Sequence, residues 1–66
     1  MTQLDQDFFQ AVKDNSVEVT KFYLRLGADV NVKDDDGWTA LKYASKYSCT
    51  DIINLLKQYG AIDDTT

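Results

Sequence analysis

The sequence contains no histidine and only one cysteine, Cys49, among its 66 residues. Without an imidazole, no serine or cysteine has its usual general base, and zinc-type metal sites lack their common ligands. A single cysteine cannot form a disulfide within the chain, and an unpaired thiol is typical of a reducing, intracellular compartment. These absences predict that the protein is not an enzyme and that it needs neither a cofactor nor a metal.

Long apolar stretches are also lacking, and basic residues are outnumbered. No run approaches the ~18 apolar residues that a membrane-spanning helix requires, and the first residues have no signal-peptide pattern. Eleven acidic and seven basic residues give a net charge of −4. We therefore expect a cytoplasmic protein that binds neither nucleic acid nor a membrane directly, because their phosphates would repel it. A basic patch on another protein is the partner that this charge favours.

An internal repeat is the main feature that the sequence does contain. Gly27-Ala28 recurs as Gly60-Ala61, a shift of 33 positions (60 − 27). At this shift apolar residues fall on apolar residues and small residues on small ones. The matched pairs are Phe8 with Leu41, Ala11 with Ala44, Val19 with Ile52 and Phe22 with Leu55. We therefore predict a single domain over residues 1–66 that contains two copies of one unit, residues 1–33 and 34–66.

Each copy is predicted to form two short helices, because apolar residues keep helical spacing over 4–12, 17–26, 39–47 and 50–59. Ser16 and Thr39 are expected to cap helix starts with their hydroxyls. Asn15 and Ser48 stand in the turns within the copies, where a left-handed backbone is expected, which Asn tolerates and Ser adopts under strain. The second helix is expected to gather its apolar residues on one side, namely Val19, Phe22, Tyr23 and Leu26.

The segment between the copies is predicted to be a short extended arm. Val30 and Val32 alternate with polar residues, and the Asp36-Gly37 pair favours a reversal of the chain. Gly37 is expected to have a positive φ, which glycine adopts without steric cost. The tail over residues 62–66 is expected to start a second arm and fray.

A helix–turn–helix unit that recurs at this spacing and carries such an arm resembles the ankyrin repeat. The family pattern D-x-x-G-x-T-P-L-H-x-A-A is matched by Asp34, Gly37, Thr39, Leu41 and Ala44, and the pattern G-A-D-V-N is complete over residues 27–31. Ala40 replaces the family's proline and Lys42 replaces its histidine, so the usual Thr–His hydrogen bond cannot form. The resemblance implies an all-α stack of helix–turn–helix units with one short β-hairpin-like arm between the repeats.

The resemblance also implies a non-enzymatic protein-binding module that uses the arm and the exposed side of the first helix of each repeat. Carried onto this chain, the predicted partner-binding residues are Lys13, Asp14, Lys33, Asp35, Asp36, Trp38, Lys42, Tyr43, Lys46 and Tyr47. Trp38 is either an exposed interface anchor or a ring that folds back over Val32. The charged residues are either binding groups or an ordinary solvated surface.

Two repeats are fewer than such stacks generally need, because each repeat buries its apolar face against a neighbour. One preceding repeat is not expected to cover all of Ile52, Ile53, Leu56 and Tyr59. We therefore predict an apolar face that a second copy or a partner covers. The predicted self-association residues are Ile53, Leu56 and Tyr59.

Two other functions fit the acidic residues less well. A small acidic inhibitor or nucleic-acid mimic could place the run of Asp34, Asp35 and Asp36 in a basic groove of a nucleic-acid-processing protein, although a charge of −4 is modest for a mimic. The same run lacks the alternate ligands and the closing glutamate of a calcium-binding EF-hand loop. Turn formation is the better account of it. An element that mainly assembles with itself is a third hypothesis.

Overall fold

A computed structural model describes residues 2–62 of the chain. These residues contain four helices, α1 (Gln3–Lys13), α2 (Val17–Arg25), α3 (Ala40–Lys46) and α4 (Thr50–Gln58). Helix α1 packs against α2 and α3 packs against α4, and the two pairs stack through α1 on α3 and α2 on α4. The predicted all-α stack of helix–turn–helix units is confirmed. The division into units at residues 33 and 34 stays a prediction.

The helix starts follow the capping predictions only in part. The Thr39 hydroxyl accepts a hydrogen bond from the Lys42 N–H at 3.2 Å and caps α3, as predicted. Ser16 precedes α2, but its side chain makes no capping hydrogen bond, so that prediction is wrong. The backbone gives the reason: ψ is 88° at Ser16 and 166° at Thr39, and the extended conformation is the one from which a cap reaches the free N–H groups.

Left-handed residues close the turn within each helix pair, as predicted. Asn15 and Ser48 both have a φ of 57° although neither is glycine. For a residue with a Cβ this conformation costs roughly 1–2 kcal/mol, and asparagine tolerates it better than serine. Ser48 therefore stores local strain that the equivalent residue of the first pair largely avoids.

The predicted β-hairpin-like arm is present between α2 and α3. Lys33 and Thr39 form an antiparallel bridge, and the Asp34 N–H donates to the Trp38 carbonyl at 2.9 Å. Gly37 has a φ of 80° and donates its N–H to the Asp34 carbonyl, which closes the turn. The arm is therefore a tight reversal that returns the chain directly to the start of α3.

The frayed tail was predicted over residues 62–66, of which only Ile62 is among the described residues. The Ile62 N–H donates to the Asn31 side-chain oxygen at 2.9 Å, and the Asn31 amide donates to the Gly60 carbonyl at 3.4 Å. Ile62 is thus tied to the start of the arm by its backbone, although its side chain is exposed.

The core lies between the two helix pairs and draws on all four helices. Phe8, Val12, Ile52 and Leu56 are fully buried. Two expectations need correction here. Ile52 and Leu56 are fully buried while Ile53 and Tyr59 keep exposed surface, so Leu56 does not belong to the predicted self-association face. On α2 the buried side carries Thr20 and Leu24, whereas three residues of the predicted apolar side are exposed, namely Val19, Phe22 and Leu26.

Among residues 2–62, no helix is long and apolar enough to cross a membrane.

Candidate functional site

Three aromatic rings form a row that joins α1, α3 and the arm. The Tyr43 ring lies edge-on to Phe9 of α1, with ring centres 5.5 Å apart, and 5.1 Å from the ring of Trp38. Phe9 is buried, while Tyr43 and Trp38 are half-buried. Aromatic pairs at such distances add about 0.5–1.5 kcal/mol each beyond their buried area. The row therefore holds the end of the arm against both first helices.

Asp34 also fixes the arm, through hydrogen bonds within the arm and to α3. One carboxylate oxygen accepts the N–H groups of Asp36 and Trp38, both at 2.9 Å, and the other accepts the Tyr43 hydroxyl. These donors, the Tyr43 hydroxyl first, hold the pKa of Asp34 below its ordinary value. The same bond raises the pKa of Tyr43 to about 12, because the carboxylate holds the hydroxyl proton in place. At neutral pH a charged Asp34 and a neutral Tyr43 therefore connect the arm to α3.

Three lysines lie over the faces of these rings. The Lys13 Nζ is 4.6 Å from the centre of the Tyr43 ring. The Nζ atoms of Lys42 and Lys46 are 4.8 and 5.2 Å from the centre of the Trp38 ring. Cation–π contacts at exposed sites contribute about 0.5–1 kcal/mol each. We call the five residues Lys13, Trp38, Lys42, Tyr43 and Lys46 the lysine–aromatic cluster.

The cluster brings together half of the ten residues predicted to bind a partner. The other five lie around it on the arm or at helix ends. Asp35 and Asp36 are exposed in the turn of the arm, and Lys33 is exposed at its base. Tyr47 follows α3, is 49% exposed, and has its ring centre 5.6 Å from the Lys46 Nζ. Asp14 ends α1 and accepts a hydrogen bond from the Gln10 amide at 3.1 Å.

Trp38 matches neither of its two predicted placements fully. It is half-buried, so it does not project freely from the arm. Its ring lies against Tyr43 and beneath two lysines. Neighbouring side chains therefore hold the indole while part of it stays accessible, which suits a pre-positioned contact residue.

A shallow groove of about 240 Å³ runs beside the cluster, between α1 and the arm. It is lined by Gln6, Phe9, Gln10, Lys13 and Asp34. Phe9 supplies an apolar surface, and the two amides and two charged groups can donate and accept hydrogen bonds. The groove is wide enough for one side chain of a partner, and Lys13 belongs to both the groove and the cluster.

Asp34 and Phe9 were missed as members of this site. Asp34 had a detectable signal, because an aspartate two or three residues before a glycine commonly accepts backbone N–H groups in a turn. Phe9 had none, since its contact with Tyr43 joins residues 34 positions apart in the chain (43 − 9).

The three predicted self-association residues belong to the second helix pair. Ile53 is half-buried on α4, and Tyr59, just after α4, is 40% exposed. Leu56 is fully buried, so it has no surface to offer a second copy. Its place is in the core, because the Leu56 side of α4 turns toward the other helices.

Residues 8–66 match the model of a family described as ankyrin repeats, in three copies. The chain belongs to the ankyrin repeat family. Human protein fem-1 homolog C is 40% identical over 58 residues, which are 88% of this chain and 9% of that protein. The potassium channel AKT2/3 of Arabidopsis thaliana is 42% identical over 52 residues, 79% of this chain and 6% of the channel.

Human protein phosphatase 1 regulatory subunit 27 is 35% identical over 57 residues, which are 86% of this chain and 37% of that subunit. The chain thus spans only a small part of the length of the relatives it matches. The ankyrin family model has three copies of the repeat, whereas residues 2–62 of this chain contain two helix pairs. Ankyrin repeats are in general protein–protein interaction modules that bind along an extended surface of the stack.

One departure of this chain from the ankyrin pattern falls at the cluster. Lys42 takes the place of the family's histidine, and its ammonium lies over Trp38. Ala40, in place of proline, is fully buried at the start of α3. Thr39 still caps the helix through its own hydroxyl. The chain therefore keeps the turn of the ankyrin repeat and uses the altered position to place a charge beside the indole.

Proposed function

We propose that this chain is a non-enzymatic protein-interaction module that binds its partner through the arm and the exposed sides of α1 and α3. The lysine–aromatic cluster is the observation that carries this proposal. Tryptophan and tyrosine are the residue types that most often dominate binding energy at protein interfaces. Here they lie together, half-exposed, on the side of the stack where the arm meets both first helices.

The cluster is ordered before any partner arrives. The Asp34 carboxylate accepts the Tyr43 hydroxyl and the backbone N–H of Trp38, and the lysines lie over the ring faces. Side chains that are already ordered lose less entropy on binding, where each mobile side chain costs about 0.5–1.5 kcal/mol to immobilise. The surface is therefore suited to a specific contact.

The charges on this surface define the chemistry of the partner. Asp35 and Asp36 are exposed at the tip of the arm and favour a basic group opposite them. The lysines of the cluster favour an acidic group a short distance away. We propose a partner protein that offers an aromatic or aliphatic side chain to Trp38, with a basic group beside it toward the arm tip. A cytoplasmic location remains a prediction from the single cysteine and the composition.

The alternative of an acidic inhibitor or nucleic-acid mimic has less support. Of the three consecutive aspartates, Asp34 already accepts three hydrogen bonds within the arm and from α3. Three of the seven basic residues lie on the adjoining surface. A basic groove that bound Asp35 and Asp36 would also contact those lysines. Repulsion between the like charges would oppose binding, so the acidic-mimic function has less support.

The test is selection of a displayed random peptide library on the immobilised chain, followed by affinity measurements on the selected peptides. We expect Trp38→Ala to raise Kd at least tenfold, which corresponds to about 1.4 kcal/mol. Lys46→Glu, at an exposed position, should raise it severalfold without disturbing the fold. Lys57→Glu is the matched control, because it makes the same charge change on α4, outside the cluster.

Thermal melting of each variant separates a loss of binding from a loss of folding. Selected peptides that bind Trp38→Ala and Lys46→Glu as tightly as the wild type would refute the proposed surface. Binding that survives both changes, disappears in Asp35→Lys or Asp36→Lys, and falls steeply with added salt would instead favour the acidic mimic.

A further inference from the structure

The same apolar stripe occurs on α2 and α4 in two different environments. Ile52 and Leu55 of α4 are 0% and 9% exposed. Their equivalents in the first unit, Val19 and Phe22 of α2, are 43% and 56% exposed. The sequence places apolar residues at both stripes, but only the stripe on α4 is covered.

The stack itself explains this difference. Helix α2 packs on α4, and the buried residues on α2 are Thr20 and Leu24, which lie four apart on one side of the helix. Val19 and Phe22 lie outside that contact and remain exposed. We call the exposed side of the first helix pair, with Val19 and Phe22, the head face.

At the other end of the stack, α4 carries the residues that correspond to Thr20 and Leu24 of α2. At the shift of 33 positions, Ile53 is the equivalent of Thr20 (20 + 33) and Lys57 is the equivalent of Leu24 (24 + 33). Ile53 is half-buried and Lys57 is exposed. We call this side of α3 and α4 the tail face. If the tail face of one copy packed on the head face of another as the first helix pair packs on the second, Ile53 would lie on the apolar stripe of Val19 and Phe22.

We propose that a second copy of this chain covers the head face by stacking its tail face on it, in the same relation that joins the two helix pairs within one copy. Charge indicates that the occupant is a second copy. Within the chain, Phe9 and Lys13 of α1 reach Tyr43 of α3. Thirty-three positions later in the chain, the residue equivalent to Phe9 is Lys42 (9 + 33) and the residue equivalent to Lys13 is Lys46 (13 + 33).

In a second copy, these lysines would lie near two carboxylates, those of Asp7 and Asp14. The equivalent of Tyr43 is Gln10 (43 − 33), which lies on α1 between Asp7 and Asp14. Head-to-tail stacking therefore brings Lys42 and Lys46 of one copy to the carboxylates of the other. A two-fold pairing of two head faces would offer no lysine of α3 to those carboxylates. Opposite charge at the two ends thus selects a head-to-tail contact over a two-fold one.

A recess at the edge of the head face could take a side chain of the incoming copy. The recess is a groove of about 240 Å³ lined by Ala11, Val19 and Tyr23, with Asp7 and Asp14 also at its edge. Because the two contacting faces differ, the contact does not close on itself, and further copies can add at both ends. The expected product is an open series of oligomers whose average mass rises with concentration.

The test is sedimentation equilibrium of the wild type, Phe22→Glu, Ile53→Glu and an equimolar mixture of the two variants. Each variant alone has lost one of the two faces and should remain monomeric. Their mixture retains one intact head face and one intact tail face, so it should form a heterodimer and nothing larger. Gln58→Glu, which adds the same charge at an exposed position of α4 away from Ile53, should associate like the wild type.

Ile53 is half-buried, so circular dichroism must first show that Ile53→Glu folds. If it does not fold, Lys46→Glu replaces it at an exposed site, and mixing with Asp14→Lys should restore the association that Lys46→Glu loses. A wild type that stays monomeric overturns the proposal, as does a dimer that survives Ile53→Glu and Lys46→Glu. Lys42 and Lys46 belong to both this contact and the lysine–aromatic cluster, so two other variants separate the proposals. Trp38→Ala should weaken peptide binding without dissociating the oligomers, and Phe22→Glu, outside the cluster, should dissociate the oligomers without weakening peptide binding.

Discussion

Replacing Thr20 by valine should stabilise this protein, although most core substitutions destabilise. Thr20 is fully buried on α2. Its hydroxyl oxygen has no hydrogen-bond partner within the described part of the chain. Valine has nearly the same shape and a similar helix propensity, so the change exchanges a hydroxyl for a methyl group with little repacking.

The expected gain follows from the cost of the unpaired group. A buried polar atom without a partner costs about 1–3 kcal/mol relative to its hydrated state. Taking the lower half of that range, Thr20→Val should raise the free energy of unfolding by about 1–2 kcal/mol. For a domain of this size each kcal/mol shifts Tm by about 4–8 °C. The total stability expected for such a chain is only roughly 3–10 kcal/mol, so the gain is large.

The assay is urea unfolding and thermal melting by circular dichroism, at a protein concentration low enough to exclude association. Thr20→Ser is the matched control, because it keeps the hydroxyl and deletes the methyl group, and it should destabilise by about 1 kcal/mol. A Thr20→Val variant no more stable than the wild type would show that the hydroxyl finds a partner in solution, most simply the carbonyl one turn earlier. The reasoning would then be wrong.

Three further predictions concern the core, the turns and the arm. Leu56→Ala removes a fully buried side chain and should cost about 2–5 kcal/mol, enough to leave much of the protein unfolded by circular dichroism. Ser48→Gly should stabilise against urea by up to about 1 kcal/mol, and Asn15→Gly by less, because both residues have a φ of 57° and asparagine tolerates it better. Asp34 has a lowered pKa in the folded state, so the unfolded chain binds its proton more readily; the stability it contributes is present above its unfolded pKa and is lost as the pH falls through the folded value. In Tyr43→Phe, a carboxyl-carbon NMR titration should show a higher pKa for Asp34 than in the wild type, because the variant lacks the hydroxyl that donates to the Asp34 carboxylate.

Each of these three has a result that would contradict it. A Leu56→Ala protein that melts like the wild type would mean that the core rearranges to fill the space. A Ser48→Gly protein that is less stable would mean that the added freedom of the unfolded chain outweighs the relief of strain. An unchanged pKa of Asp34 in Tyr43→Phe would mean that the backbone N–H groups of the arm hold the carboxylate by themselves.

Much of the local structure could be predicted because its causes are local. The cap at Thr39 and the left-handed residues at Asn15 and Ser48 depend on neighbours only a few positions away. Where a local prediction was wrong, as at Ser16, the ψ angle of that residue decided the outcome. Such an angle depends on how the helix pair packs, and the residue type does not fix it.

The lysine–aromatic cluster could be predicted only as a set of candidates. The ankyrin pattern pointed to Trp38, Lys42 and Lys46 individually. The contact that unites them with Lys13 depends on the packing of α1 on α3, which joins residues 30 positions apart (43 − 13). The sequence contains no direct record of that distance, so Phe9 was missed, whereas Asp34 had a local turn signal that was not used.

The sequence by itself determined the repeated unit, its helices, its arm and its family, because spacing, capping and turn chemistry act over a few residues. Only the tertiary structure decided which copy of the repeated apolar stripe is covered. Val19 and Phe22 read in the sequence like Ile52 and Leu55, yet one pair is exposed and the other is buried. The physical reason is that burial depends on which neighbour lies over a surface, and a helix with an apolar stripe does not itself specify that neighbour.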